Sequence, residues 1–466
     1  MLFAGAVSCG GSSSPAPPGE PVDGGIEATA ADPGPAPEEV APVDVAPEAA
    51  GPDIEDAPVE VAEDAEENTA EATEDVEDVA ETDSEDVEEE VDVPPPPPPY
   101  WDLPPGYDQL HFETIPVDVE GKTDDLAVVL PPDTASVTIM TSGPPSDVWM
   151  RVGKLVTSQG YAIVKGQGDV SCMTCVNRVF ADHDLSTAMA PNSPEVPYKG
   201  SGKYLLQLWQ FTVKVVNDKL AIKAYLGTPV TSRILFKHWV GEPQAGTLDL
   251  NLWFTGVDEL TAATAPTNAW IVQMLADVDA IYAQAGIQLG TVTYQDAPEG
   301  TPQIVNTTIA ADSDLSKLFL TTSEAPTGIN VFFVSSILRE ELTGTGGIVL
   351  GIAGGIPGPP FVVKGSPHSG VAIALTDIAN MDVAALGSVL AHEVGHYLGL
   401  FHSTEKDGDP EKPETTTHDP IEDTPEFDKT NLMWWASEGG KTITPGQKFV
   451  MLRHPDVWLQ DPPQNP

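Results

Sequence analysis

Residues 392–402 constrain the fold of this chain more than any other stretch. They read His-Glu-Val-Gly-His-Tyr-Leu-Gly-Leu-Phe-His, the pattern H-E-x-x-H-x-x-G-x-x-H. His392 and His396 are four apart, so on a helix they share a face and can grip one metal ion. Glu393 lies beside them, where a carboxylate can take a proton from water activated at that metal. Gly399 permits the positive φ that ends a helix and turns the chain back. That turn brings His402 round as third ligand and leaves a fourth zinc position for water. Five positions are fixed, and at roughly one in twenty each a chance match in a chain this long is on the order of 10⁻⁴. A purely structural zinc site closes with four protein ligands and has no use for the glutamate.

The flanking residues predict a helix. Val383, Leu386, Val389, Leu390 and Val394 fall at helical spacings, with Asp382 available as N-cap. The apolar face is expected to pack on the core and the histidine face to look into a cleft.

Charge divides the chain. Its 466 residues allow two or three domains. The formal charge of −51 is uneven: residues 1–100 hold 29 of the 72 acidic residues and none of the 21 Lys and Arg. No aromatic residue stands between Phe3 and Tyr100. Such a stretch buries too little apolar surface to offset its ordering entropy. Residues 20–105 therefore read as a disordered, acidic, Pro-rich stalk ending in the stiff run Pro94–Pro99, with an acidic interaction tail as the alternative. Either would repel nucleic acid.

Residues 1–19 resemble the end of a bacterial lipoprotein signal and its tether. Small residues precede Cys9, and Gly and Ser come after it. Lipidation at Cys9 would make the chain an exported outer-membrane or cell-surface protein, touching the membrane only through that anchor. Otherwise it would be secreted, with Cys9 a free thiol. The other two cysteines, Cys172 and Cys175, are three apart. In an exported protein they read as a small-loop disulfide. Zinc binding by this pair with His183 is the weaker alternative, having only two thiols.

Residues 106–240 read as an all-β sandwich. Short apolar or alternating runs recur at 126–130, 136–140, 148–152, 204–216 and 220–226, with Gly, Pro, Asn and Asp between them. From residue 246 to 466 the pattern becomes α+β. Residues 248–254 alternate as a strand. Residues 268–285 place Ile271, Leu275, Val278 and Ile281 or Tyr282 on one helical face. Further strands are expected at 288–294, 329–334 and 369–375, and the Gly/Pro-rich stretch 346–360 as a loop near the cleft.

Together with three short stretches between residues 423 and 447, the H-E-x-x-H motif resembles the metzincin metallopeptidases, and among them the pappalysin branch. Asp423-Thr424-Pro425 is similar to that branch's D-T-P stretch. Asn431-Leu432-Met433 is similar to its N-F-M methionine turn, and Thr444 to Gln447 to the T-x-x-Q that opens its last helix. The resemblance covers roughly residues 246–455. It implies a twisted mixed sheet plus the zinc helix, Zn²⁺ on His392, His396 and His402, Glu393 as base, and Met433 beneath the metal. It also implies that the last strand before the helix is the sheet edge where extended substrates pair. One departure is that Trp434 and Trp435 come directly after Met433, where the family has a tyrosine two residues after the methionine. Indole only donates through N–H and cannot ligate zinc.

The segment between His402 and Met433 is acidic. Asp407, Asp409, Asp419, Glu422 and Asp423 make it a candidate Ca²⁺ loop, as the resemblance also implies, or else a solvated acidic surface. His418, His111, His183, His238, His368 and His454 read as surface residues. The expected activity is hydrolysis of peptide bonds in protein or peptide substrates by Glu-assisted attack of a zinc-bound water. The competing readings are a surface adhesion protein with an inactive peptidase fold, and a metal-dependent amidase or esterase.

Overall fold

The computed structural model describes residues 7–11, 102–143, 148–166, 169–216, 219–307, 313–338, 348–405, 417–436 and 440–460. The described residues belong to one compact unit. The predicted stalk, apart from 102–105, lies outside the described residues.

β1 (Val7–Gly11) comes first in the chain. Ten strands come next: β2 (Tyr107–Ile115), β3 (Leu126–Leu130), β4 (Thr134–Ser142), β5 (Trp149–Val156), β6 (Ala162–Lys165), β7 (Asp182–His183), β8 (Leu185–Ala190), β9 (Gly202–Val216), β10 (Lys219–Tyr225) and β11 (Val230–His238). They form two antiparallel sheets. One runs β10-β9-β5-β6, with β3 also on β9 and β7 on β5; the other runs β2-β11-β4-β8. Val128, Met150, Val152 and Leu206 of the first meet Val137, Ile139, Ile234 and Phe236 of the second in one buried cluster. The predicted runs lie inside these strands to within one residue; β3 alternates between buried and more exposed side chains, whereas β4 is buried from Ser136 to Thr141. Cys172 and Cys175 are joined by a disulfide in this core.

The remainder contains β12 (Ala245–Phe254), α1 (Ala269–Tyr282), β13 (Ile287–Asp296), β14 (Ile304–Asn306), α2 (Asp314–Leu320), β15 (Ile329–Val334), β16 (Ser336–Leu338), β17 (Ile348–Ala353), β18 (Val371–Ala374), α3 (Leu375–Asp382), α4 (Leu386–Tyr397), α5 (Pro445–Arg453) and β19 (Val457–Gln460). Its sheet runs β13-β12-β15-β18-β17-β16-β14, with β19 on β12 and β1 on β17. The central pairs β12–β15 and β15–β18 are parallel, and both faces are covered, as parallel strands require. Leu248, Leu250, Leu252 and Phe254 point to α1 and α4, while Trp253, Phe332 and Ala372 meet Leu318 and Phe319 of α2.

α1 begins where Asn268 accepts hydrogen bonds from the Trp270 and Ile271 amides, a cap of about 1 kcal/mol. It buries Ile271, Met274, Val278, Ile281 and Tyr282. Tyr282 donates to the Ala391 carbonyl of α4 at 2.7 Å. Gly387 lets the two helices approach, since a β-carbon there would lie 2.5 Å from Asp277 Cβ. No described helix is long and apolar enough to cross a membrane.

Three expectations change. Residues 346–360 are not all loop, because β17 lies within them. The strand before the histidine-bearing helix is not an edge: β18 is flanked by β15 and β17. β17 is the strand that runs antiparallel beside it, and β1 pairs with the other side of β17, Val7 opposite Ala353 and Gly11 opposite Ile348. Finally, Asp382 caps the short turn Val383–Ala385, not α4, by accepting from Ala384 N; Val383 is 37% exposed.

Candidate metal centre

α4 is buried along its whole length, from Leu386 to Tyr397. Leu386, Val389, Leu390 and Val394 enter the core as their spacing predicts. His392, Glu393 and His396 are buried as well, so the histidine side is covered. Gly399, at φ 102°, ends the helix. Its amide donates to the His396 carbonyl at 2.8 Å, and Leu400 N donates to the Gly395 carbonyl at 3.0 Å. A β-carbon at Gly399 would also lie 3.1 Å from Met189 Cε. The reversal carries His402 back to the helix.

The three rings converge. Their centroids lie 4.6 Å (His392–His396), 5.3 Å (His392–His402) and 4.7 Å (His396–His402) apart. One ligand atom from each lies within 4.8 Å of the others. Each Nδ1 faces an oxygen: the Leu432 carbonyl at 2.7 Å, the Leu400 carbonyl at 2.7 Å and Glu405 Oε2 at 3.0 Å. Carbonyl and carboxylate oxygens accept, so Nδ1 carries the proton and Nε2 the lone pair. All three Nε2 atoms are buried and have no protein partner. Oriented imidazoles with unmatched lone pairs fit a metal that prefers nitrogen ligands, zinc foremost.

Electrostatics agree. Burial, then the neighbouring His402, holds His392 down to about 3 against the pull of the Leu432 carbonyl. Burial, then His392 and His402, also holds His396 well below the ordinary histidine range. Both are therefore neutral at pH 7, the form that ligates. Burial pushes the Glu405 carboxyl up, but His402, their hydrogen bond and Arg178 outweigh it and leave Glu405 below its usual value.

Glu393 lies against β17. A β-carbon at Gly351 would be 2.5 Å from Glu393 Cγ, so only glycine lets the strand come this close. Met433 is fully buried beneath the helix, and a β-carbon at Gly395 would lie 2.9 Å from its Sδ. The turn that carries Met433 is tied down by Asn431. Its Oδ1 accepts from Met433 N at 2.8 Å and from Gln447 Nε2 at 2.8 Å. Gln447 completes a capping box with Thr444 at the start of α5, where T-x-x-Q is expected to open a helix. Asp423 Oδ2 accepts from Gly446 N at 2.8 Å on the same helix. Trp434 is buried and Trp435 half-buried, their rings 5.9 Å apart.

The acidic loop is not gathered. Asp407 and Asp409 lie outside the described residues. Asp419 Oδ1 accepts from Ile421 N and Thr424 Oγ1, Asp423 serves α5, and Glu422 is exposed. Among the described residues these carboxylates form no metal-ligand group. Cys9 falls within β1. Glu405 and the Leu432 carbonyl were missed from sequence; a carboxylate three residues after His402 was the available signal.

The surface reading of three histidines is overturned. His183, His368 and His454 are buried, at 7%, 4% and 0% exposure. His183 meets Asp182 and His368, not the cysteine pair, which the disulfide occupies. Local pattern misses this because distant elements cover them.

No family model and no curated protein matches the chain. Among solved structures, metalloproteinase-II from Bacteroides fragilis is similar over 48% of this chain and 62% of its own, at 12% identity and a TM-score of 0.28. A chaperone–substrate complex is similar over 53% of this chain and 36% of its own, at 13% identity and a TM-score of 0.25. The chain thus covers less than two thirds of either. Likeness at this level fixes neither fold nor activity.

Proposed function

We propose that the chain is a zinc-dependent endopeptidase of metzincin type, most similar to the pappalysin branch, acting on extracellular proteins. One observation carries this reading: three buried Nε2 lone pairs converge next to Glu393, on one helix and the turn that closes it. His392, His396 and His402 would hold the zinc, which when bound supplies Lewis acidity and lowers the pKa of water. Glu393 accepts the proton of the attacking water and returns it to the leaving amine. Met433 supports the helix by packing under Gly395 and does not ligate.

β17 would orient the substrate. It touches Glu393 through Gly351, and its outer side pairs with an extended segment of the same chain, β1. An extended peptide would take that antiparallel pairing in its place. Main-chain pairing gives affinity with modest demand on sequence, which suits protein or peptide substrates. Cys9 would anchor the chain by a lipid, and the acidic stalk would hold the enzyme away from an outer membrane or cell surface.

The test is cleavage of a peptide library by purified protein, stripped of metal and then reloaded with zinc. Activity should vanish on stripping and return with zinc. Hydrolysis that survives stripping would sink the reading.

A further inference from the structure

A second cluster of metal-ligand side chains lies apart from His392, His396 and His402, where the β-rich half meets the nine-stranded sheet. Asp182 and His183 form β7, paired with Met150 and Trp149 of β5. His368 lies in the connection from β17 to β18. All three are buried, and one ligand atom from each lies within 4.8 Å of the others.

The hydrogen bonds decide which atoms remain for a ligand. His183 Nδ1 is 2.9 Å from Asp184 Oδ2, which fixes the proton there and leaves the lone pair on Nε2. Asp182 Oδ1 accepts from His183 N at 2.9 Å, leaving Oδ2, which lies 3.4 Å from His368 Nδ1. His368 is the unusual member. Its Nε2 is 3.0 Å from the His183 carbonyl and its Nδ1 2.8 Å from the Gly354 carbonyl. Carbonyls only accept, and a neutral imidazole has one N–H. With the proton on Nε2, the Nδ1 lone pair faces the lone pairs of Gly354 O and Asp182 Oδ2, with all three side chains buried. A cation among these three atoms removes the conflict.

This arrangement repeats the logic of the cleft. There each histidine has one ring nitrogen committed to a carbonyl or carboxylate oxygen; His183 repeats this with Asp184, and His368 adds a carbonyl on its second nitrogen.

We infer that Asp182, His183 and His368 bind a second divalent transition metal of the zinc class, with the Gly354 carbonyl beside it. Two imidazoles and one carboxylate suit zinc. The ion is structural. It joins β7 to both ends of the β17–β18 connection, Gly354 and His368. It therefore pins the β-rich half to the strand that lies on Glu393.

The experiment removes the cleft site first. In a His392→Ala, His396→Ala protein, loaded with zinc and desalted, elemental analysis should find about one zinc per chain. Adding His368→Gln should abolish it, with folding checked by circular dichroism. Cobalt(II) should give visible d–d absorption in the first protein and none in the second. A folded cleft variant without metal, or zinc that persists after His368→Gln, overturns the site and favours an imidazolium paired with Asp182. If the cleft variant does not fold, the native chain answers. About two zinc ions, falling to about one in His368→Gln, support the site, and an unchanged count overturns it. Neither count depends on whether the cleft cleaves peptides.

Discussion

The histidine site on α4 and the seam between the two halves are both buried and both polar, yet they treat their polar groups differently. In the histidine site, three Nε2 atoms have no protein partner. In the seam, one side chain after another reaches a backbone carbonyl. Lys237 of β11 is the extreme case: its Nζ lies 2.8, 2.6 and 2.6 Å from the carbonyls of Leu452, His454 and Val457. Burial pulls this ammonium toward neutrality, but three acceptors need three N–H, and only the charged form has them. Tyr107 donates to the Pro455 carbonyl, Ser136 to the Arg453 carbonyl, and Arg178 to the His418 carbonyl. The difference teaches how to tell a site from a joint. Convergence separates them: on α4 three unmatched imidazoles meet, whereas in the seam single side chains reach backbone carbonyls and unmatched atoms such as Arg178 Nε stand apart.

Glu393→Gln should break the cleft side alone. It keeps the shape and removes the proton acceptor, so turnover should fall by about 10²–10⁴ while zinc content holds. Parallel peptide hydrolysis and elemental analysis would check it, and a variant of undiminished rate would refute the mechanism. Lys237→Met should break the seam alone. Three buried carbonyls lose their donor, a cost of about 3–5 kcal/mol by analogy with a broken buried ion pair. Chemical denaturation measures it, and an unchanged midpoint would deny the seam its role.

Glu405→Gln sharpens the contrast more gently. It weakens the hold on His402 Nδ1, so zinc affinity should drop about 10- to 100-fold in a chelator competition. The smallest effect belongs to Asp419, pushed up by burial from 3.8 to about 7. Between those values the folded chain keeps the proton and the unfolded chain does not. Its stabilising contribution is therefore complete below about pH 4 and is lost as pH rises through 7. Asp419→Asn should flatten that part of the melting temperature against pH curve. Parallel curves for variant and parent would contradict the assignment.

The two regions also differ in how far sequence discloses them. His392, His396 and His402 are visible because helix period and a glycine turn bring them together within eleven residues. Thr444 and Gln447 are visible for the same local reason. The seam cluster joins positions 183 and 368, and no short-range period links such distant residues. β17 was hidden by Gly351, which reads as loop chemistry but is there because Glu393 leaves no room for a β-carbon. The internal position of β18 was hidden by the same misreading, since the strand that flanks it was not recognised. Where burial is imposed by a distant element, as at His454, the residue's own neighbours say nothing of it.

The three carbonyls gathered by Lys237 have a consequence for inheritance. A gene fragment beginning at residue 246 would encode every cleft residue, yet its product would expose Leu452, His454 and Val457 carbonyls in a concavity shaped for an ammonium it no longer carries. The turn between α5 and β19 would lose its clasp, and α5 is what holds Asn431 and so the methionine turn. Exchanging the β-rich half for another would leave those three carbonyls without a donor unless the replacement set a lysine at the same point in space.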